Sequence, residues 1–145
     1  MKKLIIVLVI VVAAGLIWMR FFKKTAVSPT TSPSATSSLS KPIRVDSVRA
    51  NDIITSPLII TGAARGTWYF EASFPIKLLD GNGKVIAQIP AQAQSDWMTT
   101  NFVPFEAELL FNKPVTPTGT LVLEKDNPSG LPQNADELRI PIRFK

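Results

Sequence analysis

The chain has 145 residues, a formal net charge of +5, and neither cysteine nor histidine. Without these residue types, a disulfide framework, a Ser-His-Asp triad, a cysteine nucleophile and a zinc or iron site with histidine or cysteine ligands are all excluded. Five of the sixteen basic residues and none of the eleven acidic ones lie in residues 1–24, which leaves eleven of each from residue 25 onward. We therefore expect no basic groove for nucleic acid, no cofactor and no metal.

Residues 1–24 have the composition of a membrane-spanning signal anchor. Two lysines precede an uncharged run from Leu4 to Met19, in which eleven of the sixteen residues are Leu, Ile or Val. On an insertion scale these eleven residues favour the bilayer by roughly 3 to 7 kcal/mol. With Phe21 and Phe22 the span measures about 28 Å, close to a hydrocarbon core of about 30 Å. We expect residues 4–22 to cross the membrane.

A cleaved signal peptide is the alternative for this segment. Val12, Ala13 and Ala14 resemble a small-residue cleavage site, and cleavage there would give a secreted protein. Two lysines before the span and three basic residues after it define the orientation poorly. A short N-terminus before a folded domain is the usual layout of a signal anchor. The prediction is therefore a single-pass cell-membrane protein with its C-terminal domain extracytoplasmic.

Residues 25–41 are predicted to be a linker. Eleven of the thirteen residues from Ser28 to Ser40 are Ser, Thr or Pro, a composition that cannot bury enough apolar surface to fold. Seventeen such residues would hold a domain roughly 20 to 25 Å from the membrane on average, with a reach of about 60 Å. The segment is interpreted as a tether.

Residues 42–145 show the two-residue alternation of β-strands. The alternating apolar positions are Ile43 and Val45; Val85, Ala87 and Ile89; Phe105, Ala107, Leu109 and Phe111; Leu121 and Leu123; and Leu138, Ile140, Ile142 and Phe144. About seven short strands with turn signals between them predict an all-β, immunoglobulin-like antiparallel sandwich. Pro141 has no N–H group to donate, so the last strand should lie at a sheet edge.

The most aromatic stretch runs from Gly66 to Pro75 and reads GTWYFEASFP. From position 68 the even residues are apolar, which predicts one half-buried strand whose even face lies in the core. That face comprises Trp68, Phe70, Ala72, Phe74, Ile76 and Leu78. Tyr69 and Glu71 should then point outward, where they could contact a ligand.

Four blocks resemble the immunoglobulin-like domain of bacterial spore germination (the Gmad family). They are GTWYFEASFPIKLLDGNGKVIAQ from Gly66, Asp96 to Thr99, Phe102 to Phe105, and LVLEKDNPSGLP from Leu121 to Pro132. The resemblance covers roughly residues 43–144. It implies an immunoglobulin-like β-sandwich in an extracytoplasmic bacterial protein, and it transfers no catalytic residues.

Carboxylates are the remaining source of catalytic chemistry. Glu71, Asp96, Glu106 and Glu108 could supply the two acidic groups of a glycosidase. Glu106 and Glu108 fall on the polar face of an alternating strand, where solvated carboxylates are the ordinary finding. The sequence therefore predicts no enzyme, with a small carboxylate-dependent hydrolase as the alternative of another class.

Two glycine-containing segments predict turns. Asp80-Gly81-Asn82-Gly83 resembles the start of a calcium loop, but Lys84 occupies the fifth ligand position and no glutamate stands at the twelfth. A hairpin turn is the interpretation. The segment from Asp126 to Gly130 is also predicted to be a turn, and because loops often carry function, Asn127 is a candidate for partner contact.

Trp68 and Trp97 receive different interpretations. Trp68 shares its parity with Phe70 and Phe74, which predicts a core position. Trp97 stands among polar residues and is predicted to be exposed.

The candidate ligand- or partner-binding residues are therefore Tyr69, Glu71, Trp97 and Asn127. The predicted function is a membrane-anchored extracytoplasmic binding or structural module of the bacterial cell envelope, with an envelope protein as partner; a cell-wall glycan-binding module is the alternative.

Overall fold

The structure is a computed structural model that describes residues 41–145. The predicted membrane anchor, residues 1–24, lies outside the described residues, as does the predicted linker apart from Lys41. No helix in the described part of the chain is long and apolar enough to cross a lipid bilayer.

Residues 41–145 form eight β-strands and two short 3₁₀ helices, with no α-helix among them. The strands are β1 (Ile43–Val45), β2 (Ile53–Ile54), β3 (Leu58–Arg65), β4 (Ser73–Asp80), β5 (Val85–Ala93), β6 (Phe102–Leu109), β7 (Thr118–Glu124) and β8 (Glu137–Phe144). The 3₁₀ helices are Gly66–Trp68 and Pro132–Asn134. The all-β prediction is confirmed, and the strand not anticipated is the two-residue β2.

The strands form one curled sheet in the order β1-β3-β6-β5-β4-β7-β8-β2. All neighbours are antiparallel except β2, which runs parallel to β8. When β2 is set aside, seven strands remain. The second of them, β3, pairs with the fifth, β6, and the third, β4, pairs with the sixth, β7. This is the arrangement of an immunoglobulin-like domain.

The strand β5 joins the two halves of the curled sheet. Most of β5 pairs with β4, while Gln92 and Ala93 pair with Glu106 and Phe105 of β6. The halves β1-β3-β6 and β5-β4-β7-β8 face each other across the core, since Phe74 of β4 and Phe105 of β6 lie 5.0 Å apart between ring centroids. The result is the predicted sandwich, closed along one side by β5.

The alternating apolar positions of β4, β6 and β8 lie in the core, as predicted, whereas Val85 of β5 is 46% exposed. Phe74, Ile76 and Leu78 of β4 are fully buried, and Ile140, Ile142 and Phe144 of β8 are buried as well. At about 25 cal/mol per Å² of apolar surface removed from water, burial of each such side chain contributes about 1.5 to 3 kcal/mol. Residues 41–145 therefore carry a hydrophobic core of their own.

The stretch from Gly66 to Pro75 is not one strand, and this part of the prediction is wrong. Gly66–Trp68 is a 3₁₀ helix and β4 begins only at Ser73. Between them, Phe70 and Ser73 exchange backbone hydrogen bonds of 3.0 and 3.1 Å across a two-residue turn. Glu71 and Ala72 at its centre have φ angles of 49° and 61°, as both central residues of a type I′ turn require.

This turn shifts the alternation. Trp68 is buried as predicted, but Tyr69 is also buried and Phe70 is 42% exposed. The turn reverses the chain between the 3₁₀ helix and β4, so the parity of β4 does not extend back to residues 69 and 70. Phe70 therefore leaves the core that the even-face pattern assigned to it.

The prediction that the last strand lies at an edge is correct for most of β8, although the two-residue β2 is the outermost strand. One side of β8 pairs with β7 along its whole length. The other side pairs only at its end, where Arg143 and Phe144 lie opposite the two residues of β2. Pro141 therefore occupies a position where no strand needs its missing N–H group.

Candidate functional site

Three connecting segments meet at one end of the sandwich. They are residues 66–72 between β3 and β4, 94–101 between β5 and β6, and 125–136 between β7 and β8. The antiparallel pairing of these strands places the segments at the same end. We call this end, formed by the three segments, the loop end. All four predicted binding residues belong to it.

Backbone hydrogen bonds tie the three segments together. Gly66 donates its N–H to Asn101 O at 3.0 Å, and Asp126 donates its N–H to Trp68 O at 3.0 Å. A Cβ atom at Gly66 would overlap the carbonyl oxygens of Trp97 and Thr99, so only glycine permits this approach. The loop end is therefore one connected surface.

Tyr69 does not face outward, contrary to the sequence prediction. Its side chain is 4% exposed, its ring lies 5.1 Å from that of Phe74, and its hydroxyl donates to Val103 O at 2.7 Å. Burial raises the pKa of Tyr69 to about 12, since the phenolate would be poorly solvated. Tyr69 fixes the base of the first segment against β6.

Glu71 is exposed at the tip of the first segment. It keeps the outward orientation predicted for it, although a turn and not a regular strand provides that orientation. Whether it binds a ligand stays a prediction.

Trp97 is half-buried and packs against the core, so the exposure predicted for it is only partly correct. The neighbouring Met98 is the exposed apolar residue of this segment, at 76%. Asp96 Oδ1 accepts a hydrogen bond from Met98 N at 3.0 Å, which closes a tight turn that raises Met98 into solvent while Trp97 turns inward.

Asn127 organises the third segment from within. Its Nδ2 donates to Leu131 O at 2.9 Å, and its Oδ1 accepts from Ser129 Oγ at 2.6 Å. Gly130 has a φ of 65° and donates its N–H to Asn127 O at 3.0 Å. The predicted turn is confirmed, and these contacts make Asn127 a residue that shapes the loop.

The sequence predictions missed three exposed apolar residues of the loop end. Phe70, Met98 and Leu131 are 42%, 76% and 48% exposed, and each belongs to a different one of the three segments. Met98 has the same polar sequence neighbours that led to the prediction of an exposed Trp97, so the same pattern could have predicted its exposure. The exposure of Phe70 depends on the turn at Glu71 and Ala72, which the alternation concealed.

An acidic groove of about 600 Å³ lies beside the third segment. Carboxylates from both of its flanks line the groove: Glu124, Asp126, Asp136 and Glu137. Lys77 Nζ approaches Glu124 Oε2 at 2.7 Å, and Arg139 approaches Glu137 at 3.3 Å. Asp136 Oδ1 accepts a hydrogen bond from Glu137 N at 2.9 Å. Much of the acidic charge is therefore already engaged by the protein.

The four carboxylates considered for catalysis are divided between the outer face of β6 and the loop end. Glu106 and Glu108 are exposed on the outer face of β6, in register with Thr61 and Ile59 of β3. Glu71 and Asp96 lie instead on separate segments of the loop end. Within residues 41–145, no group of three or more His, Cys, Asp or Glu residues is arranged to hold a metal ion.

The Asp80 turn is the hairpin that the sequence predicted. Asp80 Oδ1 accepts hydrogen bonds from the backbone N–H groups of Asn82 and Lys84, both at 2.9 Å. Its carboxylate is thus used inside the turn that joins β4 to β5. Gly83 provides the positive φ of 80° that this turn needs.

Comparison with known protein families identifies a match over most of the β-domain. The family model described as "Immunoglobulin-like domain of bacterial spore germination" matches residues 42–130. The matched region includes β1 to β7 and the first part of the third segment of the loop end. No match was found among curated proteins or among solved structures.

Proposed function

Because the chain belongs to the family of the immunoglobulin-like domain of bacterial spore germination, we propose that it is a non-catalytic binding or structural module of the bacterial cell envelope. Residues 4–22 anchor it in the cell membrane, residues 25–41 are the tether, and the β-domain is extracytoplasmic. The anchor rests on the uncharged sixteen-residue run of the sequence.

The observation that supports a binding role is the construction of the loop end. Three segments joined by backbone hydrogen bonds each expose one large apolar side chain, Phe70, Met98 or Leu131. Segments that are already held in place lose little conformational entropy when a partner binds. Loops at one end of an immunoglobulin sandwich are also the part that binds antigen in antibody variable domains. We propose that the partner is an envelope protein, which contacts these side chains.

The binding proposal is tested with Met98→Ser, which removes the most exposed apolar side chain of the loop end. Purified residues 41–145 should bind isolated cell envelopes saturably, and the substitution should weaken binding about tenfold, because few contact residues carry most of the affinity. Ile59→Ser is the matched control, since Ile59 is 47% exposed but lies on β3. Equal losses for the two variants, or no saturable binding, would contradict a site at the loop end.

Glycan binding is the second candidate, and it is supported by Trp97. This ring keeps part of its surface exposed at the loop end, and aromatic rings can stack on sugars. Glycan binding predicts that the domain sediments with purified peptidoglycan and that Trp97→Ala abolishes sedimentation. A domain that binds envelopes but not purified peptidoglycan favours the envelope-protein partner instead.

The membrane proposal is tested on the full chain. It should fractionate with membranes and stay there after washes with high salt and alkaline carbonate, because an apolar span is held by the hydrophobic effect and not by charge. Deletion of residues 4–22 should release it. Protease added to intact spheroplasts should digest the β-domain, whereas protection of that domain would contradict its extracytoplasmic placement.

A further inference from the structure

The β8 strand has a free outer edge over part of its length. Arg143 N donates to Asp52 O at 2.9 Å, and Pro141 O accepts from Asn51 N at 2.7 Å, so the odd residues of β8 direct their backbone groups away from β7. β2 pairs with β8 only at Arg143 and Phe144. Residues 137–139 therefore direct backbone groups outward beyond the reach of β2. One of these groups, Glu137 N, donates a 2.9 Å hydrogen bond to the side chain of Asp136. We call residues 137–139 the free edge.

The free edge carries charges of both signs. Glu137 and Arg139 are exposed, and their side chains approach each other at 3.3 Å on the outer face of the sheet. Proteins often protect such an edge with charged residues or proline. Pro141 limits the length of edge on which another strand could pair. The alternating charges repel an added strand only where that strand places like charges opposite them.

A second copy of the same strand meets no such repulsion. When two β8 strands run antiparallel about a two-fold axis at Leu138, Glu137 of each copy lies opposite Arg139 of the other. Both are odd residues, so they form hydrogen-bonded pairs, in which Glu137 N exchanges the exposed side chain of Asp136 for Arg139 O of the other copy. Opposite charges at paired positions are stabilising. Leu138 of one copy then lies opposite Leu138 of the other on the inner face.

The inner side of the free edge has room for an added side chain. A mainly apolar groove of about 450 Å³ lies between β1 and β8, lined by Lys41, Ile43, Arg44, Val45, Phe102, Leu138 and Ile140. The second Leu138 would project toward this groove. Burial of both leucines adds an apolar contribution to that of the backbone and the charges.

We propose that the free edge is a self-association site, at which the β8 strands of two copies pair antiparallel about Leu138. The paired strands extend the β5-β4-β7-β8 half of one sandwich into that of the other. The ladder spans only three residues of each chain, so the association is weak and reversible. It uses none of the three exposed apolar side chains of the loop end.

Charge reversal provides the test, because each single variant places like charges opposite one another, positive in one variant and negative in the other. In Glu137→Arg the paired positions carry only positive charge, and in Arg139→Glu only negative charge. Each variant of residues 41–145 should stay monomeric in sedimentation velocity over a concentration range of about a hundredfold in which the unmodified protein dimerises. A mixture of the two, or the double variant, regains opposite charges and should dimerise again.

Two outcomes of this experiment would overturn the proposal. One is that the unmodified domain remains monomeric throughout the range. The other is that the single variants dimerise as the unmodified protein does, which would place any interface elsewhere. Circular dichroism of each variant establishes that it is folded, and the mixture provides a rescue that a folding defect would not show.

A cysteine cross-link tests the register in the full chain. The chain has no cysteine, so Leu138→Cys introduces a single thiol at the proposed two-fold axis, where a non-hydrogen-bonded pair brings the Cβ atoms to about 4.5 to 5.5 Å. Oxidation in membranes should give a disulfide-linked dimer. Val85→Cys is the control, since Val85 is 46% exposed and begins a different strand. Equal cross-linking of both variants would contradict the register.

Discussion

Tyr69 links a segment of the loop end to the core through both its ring and its hydroxyl. The ring packs edge-on against Phe74, and the hydroxyl donates a 2.7 Å hydrogen bond to Val103 O. Both interactions belong to the neutral phenol, because ionisation would remove the donated proton and place a charge in an apolar site. The folded protein therefore holds the proton of Tyr69 more tightly than the unfolded chain does.

This difference predicts a loss of stability at high pH. The folded pKa of about 12 lies above the ordinary value of 10.0, so the stabilisation is fully present below pH 10 and is lost as the pH rises toward 12. Tyr69→Phe should show a smaller decline in the free energy of unfolding over this window, measured by denaturant titration. Tyr69 is the only tyrosine, so phenolate absorbance follows its titration directly. An equal decline in both proteins, or ionisation near pH 10, would contradict the buried position.

The position of Tyr69 could not be obtained from the alternation of the sequence. Two non-glycine residues, Glu71 and Ala72, adopt positive φ angles in the turn before β4. Asparagine or glycine would have signalled this turn, whereas glutamate and alanine do not. Trp68 was placed correctly in the core, but the side of the sheet assigned to Tyr69 and Phe70 was reversed.

At the scale of the element, β7 depends on close contact at Gly119. This residue lies between Asp80 of β4 and Ile142 of β8 in the sheet. A Cβ atom there would overlap Leu79 O and the ring of Phe144. The carbonyl belongs to the neighbouring strand and cannot retreat without disturbing the pairing of β4 with β7.

We therefore expect Gly119→Ala to destabilise the domain by about 2 to 4 kcal/mol, above the usual cost of overpacking, because backbone must move. The measurement is the free energy of unfolding in denaturant. Gly130→Ala is the control: its Cβ meets open space, and only its φ of 65° is unfavourable. That strain costs about 1 kcal/mol. A smaller loss for Gly119→Ala than for Gly130→Ala would contradict the proximity of Leu79 O.

Strict alternation in the sequence predicted the buried face of a strand correctly, but it could not predict very short strands or the order of strands in the sheet. β4, β6 and β8 alternate strictly, and the structure buries the predicted face of each. β2 has two residues and pairs with a strand about ninety positions later, so no local pattern could reveal it. The acidic groove, the apolar groove between β1 and β8, and the loop end all depend on the order of strands in the sheet, which a local sequence pattern does not determine.

At the scale of the whole molecule, the two halves of the sandwich are not separable. β5 pairs with both β4 and β6, and the cluster of Trp68, Tyr69, Phe74 and Phe105 spans the two halves. Neither half can keep its apolar face out of water without the other. The domain should therefore gain or lose its structure as a unit.

This coupling predicts two-state unfolding of residues 41–145. Tryptophan fluorescence, which reports on the buried Trp68 and the half-buried Trp97, should give the same denaturant midpoint as far-ultraviolet circular dichroism. The Trp97→Phe variant isolates the signal of Trp68 at the junction of the halves. Separate midpoints for the two probes would show that one half unfolds before the other.

The chain begins its path through the sandwich at the loop end, where Pro42 O accepts a 2.7 Å hydrogen bond from Arg65 N. With the proposed tether and a partner both attached at this end, a pulling force would enter β1 and pass to β3 through three residue pairs. It would then reach the bound partner through the segment that starts at Gly66. Because both attachment points lie at the same end of these two antiparallel strands, the force would open their hydrogen bonds one after another, starting at Pro42. The partner would also load the segment between β7 and β8 through Leu131, and the three residue pairs of β1 with β3 would be the part of this mechanical coupling that opens first.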